Sequence, residues 1–315
     1  MKIKILKIIV IGLILIILTL MSLALYNLYP KEDIVNNINN NLILNNNVDL
    51  KNDLEKGNAI VINIWLLEDS RLDKIRQRKI KYLIVDVGGI DSSGRLETPE
   101  EEINEFLYFM REYETKNNYE FILLPYSEVN TYNYNIEGPN FKENTLELYK
   151  DLYKLGFDGV FVDIEPIQFN QRDFYIDFIK ELKNQNSGIM VVYSGDITNS
   201  ADNENEWEWS PEFFREVSQI ADIITIPGYD TDLTTKEEYE NKLKKQVMNI
   251  KSGGFNTNIL LGIPTHKNEP ETIDNALMFY NEAIIEYQPE NIIGYSIFSE
   301  WTIDDNEWAI FDEFI

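Results

Sequence analysis

From residue 57 onward, runs of apolar and β-branched residues alternate with segments whose apolar positions recur every three or four residues. Eight runs stand out: AIVINIWLL (59–67), YLIVDVGG (82–89), YEFILLPY (119–126), GVFVDIEP (159–166), GIMVVYSG (188–195), DIITIPGY (222–229), NILLGIP (258–264) and IIGYSIFS (292–299). Short apolar runs of this kind, bounded by turn residues, predict buried strands. The segments between them carry helical stripes, among them Leu146, Leu152 and Leu155, and Phe174, Phe178 and Leu182. Helix starts are signalled by Thr98 before Pro99 and Glu101, by Ser210 before Pro211, and by Thr235 before Glu238. Eight strands alternating with helices over residues 57–315 predict a (β/α)8 TIM barrel, with a doubly wound open sheet as the competing architecture.

The pattern ahead of residue 57 is different. Lys2, Lys4 and Lys7 precede IIVIGLILIILTLMSLAL, an uncharged stretch close to the length that crosses a bilayer. Residues 1–28 are therefore predicted to be a signal anchor, contacting the membrane through residues 5–28. A cleaved signal peptide is the alternative, since Ser22 and Ala24 are small residues at peptidase spacing. Residues 29–56, rich in Asn and Asp, predict a polar stalk. The positive flank places the barrel on the extracellular side of the cell membrane, or in the medium if the leader is cleaved. The chain has no cysteine, so it folds without disulfides and offers none near the apolar run for a lipid.

Composition narrows the partners. The chain has 315 residues and is 44% apolar, ample for a large core. A net charge of -26 argues against nucleic acid and against an anionic membrane surface, and favours a neutral or cationic partner. One histidine and no cysteine make a zinc centre or a Ser-His-Asp triad improbable, and no phosphate-cradling glycine loop is present. No metal or cofactor is expected, and the barrel is expected to be a monomer.

In a barrel of this kind chemistry sits where strands end. The unusual residues fall there: Asp86 with Gly88 and Gly89, Tyr126, Glu128, Asp163, Glu165, Ser194, Asp196, Tyr229, Asp230, His266, Glu300 and Trp301. Strand alternation in GVFVDIEP sends Val160, Val162 and Ile164 toward the helices and Phe161, Asp163 and Glu165 inward. Burying two carboxylates without partners costs roughly several kcal/mol each. Either a structural network satisfies them, or their crowding raises the pKa of one acid so that it donates a proton near neutral pH.

GFDGVFVDIEP resembles the strand-four signature of family 18 glycoside hydrolases, the chitinase-like barrels, which reads DGxDxDxE; Asp158, Asp163 and Glu165 match it. IPGYD resembles the family's strand-six Tyr-Asp motif, LLGIP its strand-seven Gly-Ile-Pro, and IGYSIFSEW its last strand, so the likeness spans most of residues 57–315 in order. The resemblance implies retaining hydrolysis of N-acetylhexosamine links, with the substrate's own acetamido oxygen as nucleophile. It implies Glu165 as general acid and then base, Asp163 orienting the acetamido group, Tyr229 donating a hydrogen bond to its oxygen, and Asp230 lining the same subsite. The glycan partner it suggests is peptidoglycan, a chitin-like polymer or an exopolysaccharide.

The sequence departs from the family pattern twice. Phe161 stands where the signature has its middle Asp, which removes a carboxylate that would share a proton with Asp163. Phe298 falls where the family has a Trp, with Trp301 three residues on, and either ring suits the floor of the sugar subsite. Trp207 and Trp209, in an acidic loop, read either as sugar platforms or as anchors pinning that loop. His266 would reach the edge of the site. Two other readings stay open: a carbohydrate-binding barrel without turnover, motivated by Phe161, and a polygalactosaminidase-like hydrolase of deacetylated amino sugars, whose strand-four region also reads GFDGVF followed by Asp.

Overall fold

The computed structural model describes residues 54, 56–65, 68–198, 206–265 and 268–315. The predicted leader, nearly all of the stalk, and His266 lie outside them. Among the described residues no helix is long and apolar enough to cross a membrane.

All eight apolar runs form strands: β1 (Ala59–Asn63), β2 (Tyr82–Asp86), β3 (Ile122–Tyr126), β4 (Gly159–Val162), β5 (Ile189–Tyr193), β6 (Ile223–Ile226), β7 (Asn258–Pro264) and β8 (Ile292–Phe298). They alternate with α1 (Asp69–Gln77), α2 (Glu100–Asn117), α3 (Pro139–Leu155), α4 (Arg172–Gln185), α5 (Pro211–Ser218), α6 (Lys236–Gly253), α7 (Ile273–Tyr287) and α8 (Asp305–Phe314). Ser210 and Thr235 accept hydrogen bonds from the N–H groups of Phe213 and Glu238, as helix-capping residues should. At α2 the cap position belongs to Pro99 instead of Thr98, and no side chain fills it. Strand β1 stops short of its apolar run because Asn63 Oδ1 accepts the Trp65 N–H at 2.8 Å and turns the chain.

The strands are parallel and ordered β3-β2-β1-β8-β7-β6-β5-β4. The remaining seam, between β3 and β4, closes differently. Just below β4 the Asp158 N–H donates to Leu123 O at 3.0 Å, while the Asp158 carboxylate accepts the Leu123 N–H at 2.8 Å. Above, Val129–Asn130 pairs with Ile164–Glu165 in a short parallel ladder. Eight parallel strands thus close a ring, and the open-sheet alternative falls away.

The core has two layers. Residues such as Ile62, Val85, Val160, Val162 and Ile164 pack outward against the helices, whereas Val61, Ile84, Leu124, Phe161 and Val191 fill the barrel. Alternation along β4 is therefore as expected, and Phe161 is barrel filling, edge-on to Tyr126 at 5.7 Å and tilted against Tyr193 at 6.3 Å.

Candidate active site

Above Phe161 the chain continues inward with Asp163 and Glu165. Their backbone is clamped by the neighbouring segment: Val129 N–H donates to Asp163 O and Thr131 N–H to Glu165 O, both at 2.9 Å. The same register brings Glu128 beside the acids at the mouth. Asp163 is buried, Glu165 and Tyr229 are half-buried, and Asp230 is exposed, so the cluster runs from the barrel interior to its mouth.

Electrostatics separate this pair from the other buried carboxylates. Asp158 and Glu114 share Arg111, and Glu300 binds Arg71 at 2.9 Å. Glu271 accepts the N–H groups of Asp230 and Thr231, both at 2.8 Å. Asp163 has no comparable partner: its Oδ1 is buried and makes no hydrogen bond. Burial, then the negative charges of Glu165 and Glu128, hold its pKa well above the usual carboxylate range. Burial, then Glu128 and Asp230, push Glu165 up to about 7. Such a carboxyl keeps its proton close to neutral pH and can deliver it to a leaving group.

Tyr229 follows β6 and completes the cluster. The Tyr193 and Tyr229 hydroxyls face one another beside Asp163 and Glu165. Burial is the main reason that both phenols titrate far above their ordinary value. Tyr229 stacks on Phe298 with ring centroids 5.1 Å apart, and Phe298 meets Trp301 edge-on at 5.9 Å. A Cβ at Gly262 would come within 2.9 Å of the Tyr229 ring, so the glycine of the Gly-Ile-Pro motif makes room for this tyrosine.

The expected site residues therefore divide. Asp163, Glu165, Tyr229, Asp230, Phe298 and Trp301 all lie at the mouth. Trp207 is exposed at the rim, whereas Trp209 is a correction to the platform reading: it is 2% exposed and packs on Tyr175, Phe213 and Phe214 as an anchor. Asp86 caps its own loop by accepting the Gly88 N–H at 2.9 Å. Asp196 is engaged by Lys242 and Gln246. Asp158 and Glu300 are braces. Sequence reasoning missed Tyr193, because an aromatic ending an apolar strand reads as core; its inward parity with Val191 was the available signal. Two open clefts, of about 230 Å³ beside Trp65 and Phe109 and about 500 Å³ beside Leu54 and Phe255, lie away from these acids. The carboxylates locate the site better, because neither space gathers comparable chemistry.

No protein-family model matches the chain, and no curated protein sequence does. Solved structures do. A chitinase from Chromobacterium violaceum ATCC 12472 aligns at TM-score 0.56 and 13% identity, over 82% of this chain and 98% of that one. A class V chitinase from Pseudomonas fluorescens Pf-5 aligns at TM-score 0.57 and 11% identity, over 82% and 98%. The spore cortex-lytic enzyme SleL of Bacillus cereus aligns at TM-score 0.58 and 11% identity, over 82% and 74%. The fold is that of the barrel glycoside hydrolases. At such low identity the likeness concerns the path of the chain, and the chemistry of this barrel rests on its own residues.

One consequence is a pH profile. With Glu165 as the acid, kcat/KM falls as pH rises through about 7. Glu128→Gln removes a negative charge that raises Glu165, so the alkaline limb should move to lower pH with the peak rate largely kept; an unmoved limb would separate Glu128 from Glu165.

Proposed function

We propose that the chain is a glycosidase that hydrolyses an N-acetylhexosamine-containing glycan with retention and substrate assistance. The observation that carries this reading is the pair Asp163 and Glu165, inward at the barrel mouth, with raised pKa values and, among the described residues, no cation beside them. The Glu165 carboxyl gives its proton to the glycosidic oxygen as the C1–O bond breaks. The substrate's acetamido oxygen closes on C1 in the same step. Glu165, now a carboxylate, then takes a proton from water as that water opens the ring at C1. In this reading Asp163 Oδ1, which makes no hydrogen bond in the protein, gains the acetamido N–H, and the Tyr229 hydroxyl donates to the acetamido oxygen. Asp230 lines the same subsite, and Phe298 with Trp301 supplies its aromatic floor.

The proposal includes an extracytoplasmic barrel tethered through residues 5–28, matching a glycan of the cell surface. The chitin and cortex-lytic activities named for the structural neighbours belong to the same broad substrate class.

Phe161 favours a second reading, a sugar-binding barrel without turnover, because no carboxylate lies beneath Asp163 to exchange its proton. Incubating the full chain with fully acetylated and fully deacetylated amino-sugar polymers separates the possibilities. New reducing ends only from acetylated polymer support the proposal. Cleavage that rises with deacetylation selects the polygalactosaminidase-like chemistry, since acetamido assistance is then absent. Binding without reducing ends selects the lectin.

A further inference from the structure

The molecule's exposed aromatic rings are unevenly placed. Of the six aromatic rings at least 36% exposed among the described residues, Tyr108 lies on helix α2, whereas Trp65, Tyr132, Phe169, Trp207 and Trp301 follow strands at the end of the barrel where Glu165 emerges, Phe169 in a short 3-10 turn. Two of them form a unit. Tyr132 and Trp207 come from the loops after β3 and β5, on either side of β4, and their rings meet at 61° with centroids 6.3 Å apart. The Tyr132 hydroxyl also hydrogen-bonds Glu206.

This pair is held firmly and close to the acids. Tyr132 follows Thr131, whose N–H binds Glu165 O at 2.9 Å and whose hydroxyl binds Pro166 O at 2.5 Å. On the other side, Trp207 O accepts the Asp196 N–H at 3.1 Å, and two residues later Trp209 is sunk in the core. The rings are thus fixed over the exit of β4. Phe298 ends β8 and Trp301 follows it, and in a ring of eight β8 stands opposite β4. A chain of sugar rings running from one aromatic group to the other passes over Glu165.

We infer that the Tyr132–Trp207 pair is a second sugar platform, and that the enzyme grips a polysaccharide on both sides of Glu165 and cuts internal links. The inference rests on the glycosidase reading for the cut itself, but the platform is testable without turnover. Aromatic faces suit pyranose rings because both present apolar surface edged by polar groups. The half-exposed state of both rings, 55% for Tyr132 and 46% for Trp207, is what such a platform needs and what a packing role would not leave.

The test has two arms. In the first, full-length Glu165→Gln protein is mixed with insoluble chitin, and the bound fraction is compared after adding Tyr132→Ala or Trp207→Ala. The platform predicts about a tenfold weaker binding for either addition, with Trp207→Tyr restoring most of it and the melting temperature unchanged. Equal binding by all these proteins, or none by any, overturns the platform whatever the catalytic activity is. In the second arm, catalytically intact protein acts on soluble chitin derivatives. Internal cutting predicts that viscosity falls before reducing ends accumulate, and that Trp207→Ala loses more rate on polymer than on an aryl disaccharide. Early release of only mono- and disaccharides, or an equal loss on both substrates, contradicts it. If no protein cleaves any substrate while the first arm succeeds, the glycosidase reading fails and the platform stands.

Discussion

Glu165→Gln is expected to lose activity by about 10²- to 10⁴-fold, the usual contribution of a positioned general acid, while gaining stability above neutral pH. The two effects share one cause. In the unfolded chain a glutamate titrates near its ordinary value, and in the folded protein burial, Glu128 and Asp230 raise Glu165 to about 7. The folded state therefore holds the proton more tightly. The stability this linkage provides is fully present below the unfolded pKa and is lost as pH rises through about 7. At pH 8 the wild-type protein carries a partly buried negative charge, without a cation partner among the described residues, that Gln lacks, a difference on the order of a few kcal/mol. Calorimetry should show the variant melting higher at pH 8 and alongside the wild type at pH 4. A variant that melts lower at pH 8 would mean that the Glu165 carboxylate has a stabilising partner.

Arg111→Ala should do the opposite, costing about 3–5 kcal/mol of stability, because it strips the cation from two buried carboxylates at once. Arg111 donates to Glu114 at 2.8 Å and to Gly156 O at 2.7 Å, and reaches Asp158 at 3.4 Å. Those acids in turn accept the N–H groups of Phe121 and Leu123, each at 2.8 Å, so the network ties α2 to β3 and to the foot of β4. Urea denaturation measures the loss. Exchanging Glu114 for Gln in the same protein should recover part of it, because the uncompensated charge is what makes the truncation costly. A loss below about 1 kcal/mol would show that backbone bonds alone hold the seam. Asp158 belongs to the strand-four signature, yet its work is structural.

The barrel was legible because each strand is an apolar run, and because alternation along GVFVDIEP has only one placement that keeps both acids off the helix layer. Alternation alone would put Trp207 and Trp209 on one face, since residues two apart share it, and where the pairing begins is what separates them. They flank Glu208 in the chain, and the short pairing of Asp196–Ile197 with Glu208–Trp209 draws Trp209 inward and leaves Trp207 outside. Other features had no periodic signal. Tyr132 sits in NTYNYN, a polar stretch whose geometry depends on the ladder with Ile164–Glu165, and nothing local marks it as a neighbour of Glu165. Which carboxylates have cations was equally hidden, since Arg111 and Arg71 meet Asp158 and Glu300 only across the folded ring. That distinction matters most for function, because it separates acids that brace the fold from the pair that lacks such partners.

In the proposed reaction Glu165 and Asp163 cleave a glycan with help from its acetamido group, and the anomer first released reports whether they do. Proton NMR of the full chain acting on N-acetylglucosamine hexamer should show the β anomer appearing before mutarotation equilibrates it. Initial release of the α anomer, or β-anomer release at an undiminished rate by Glu165→Gln, would contradict the account.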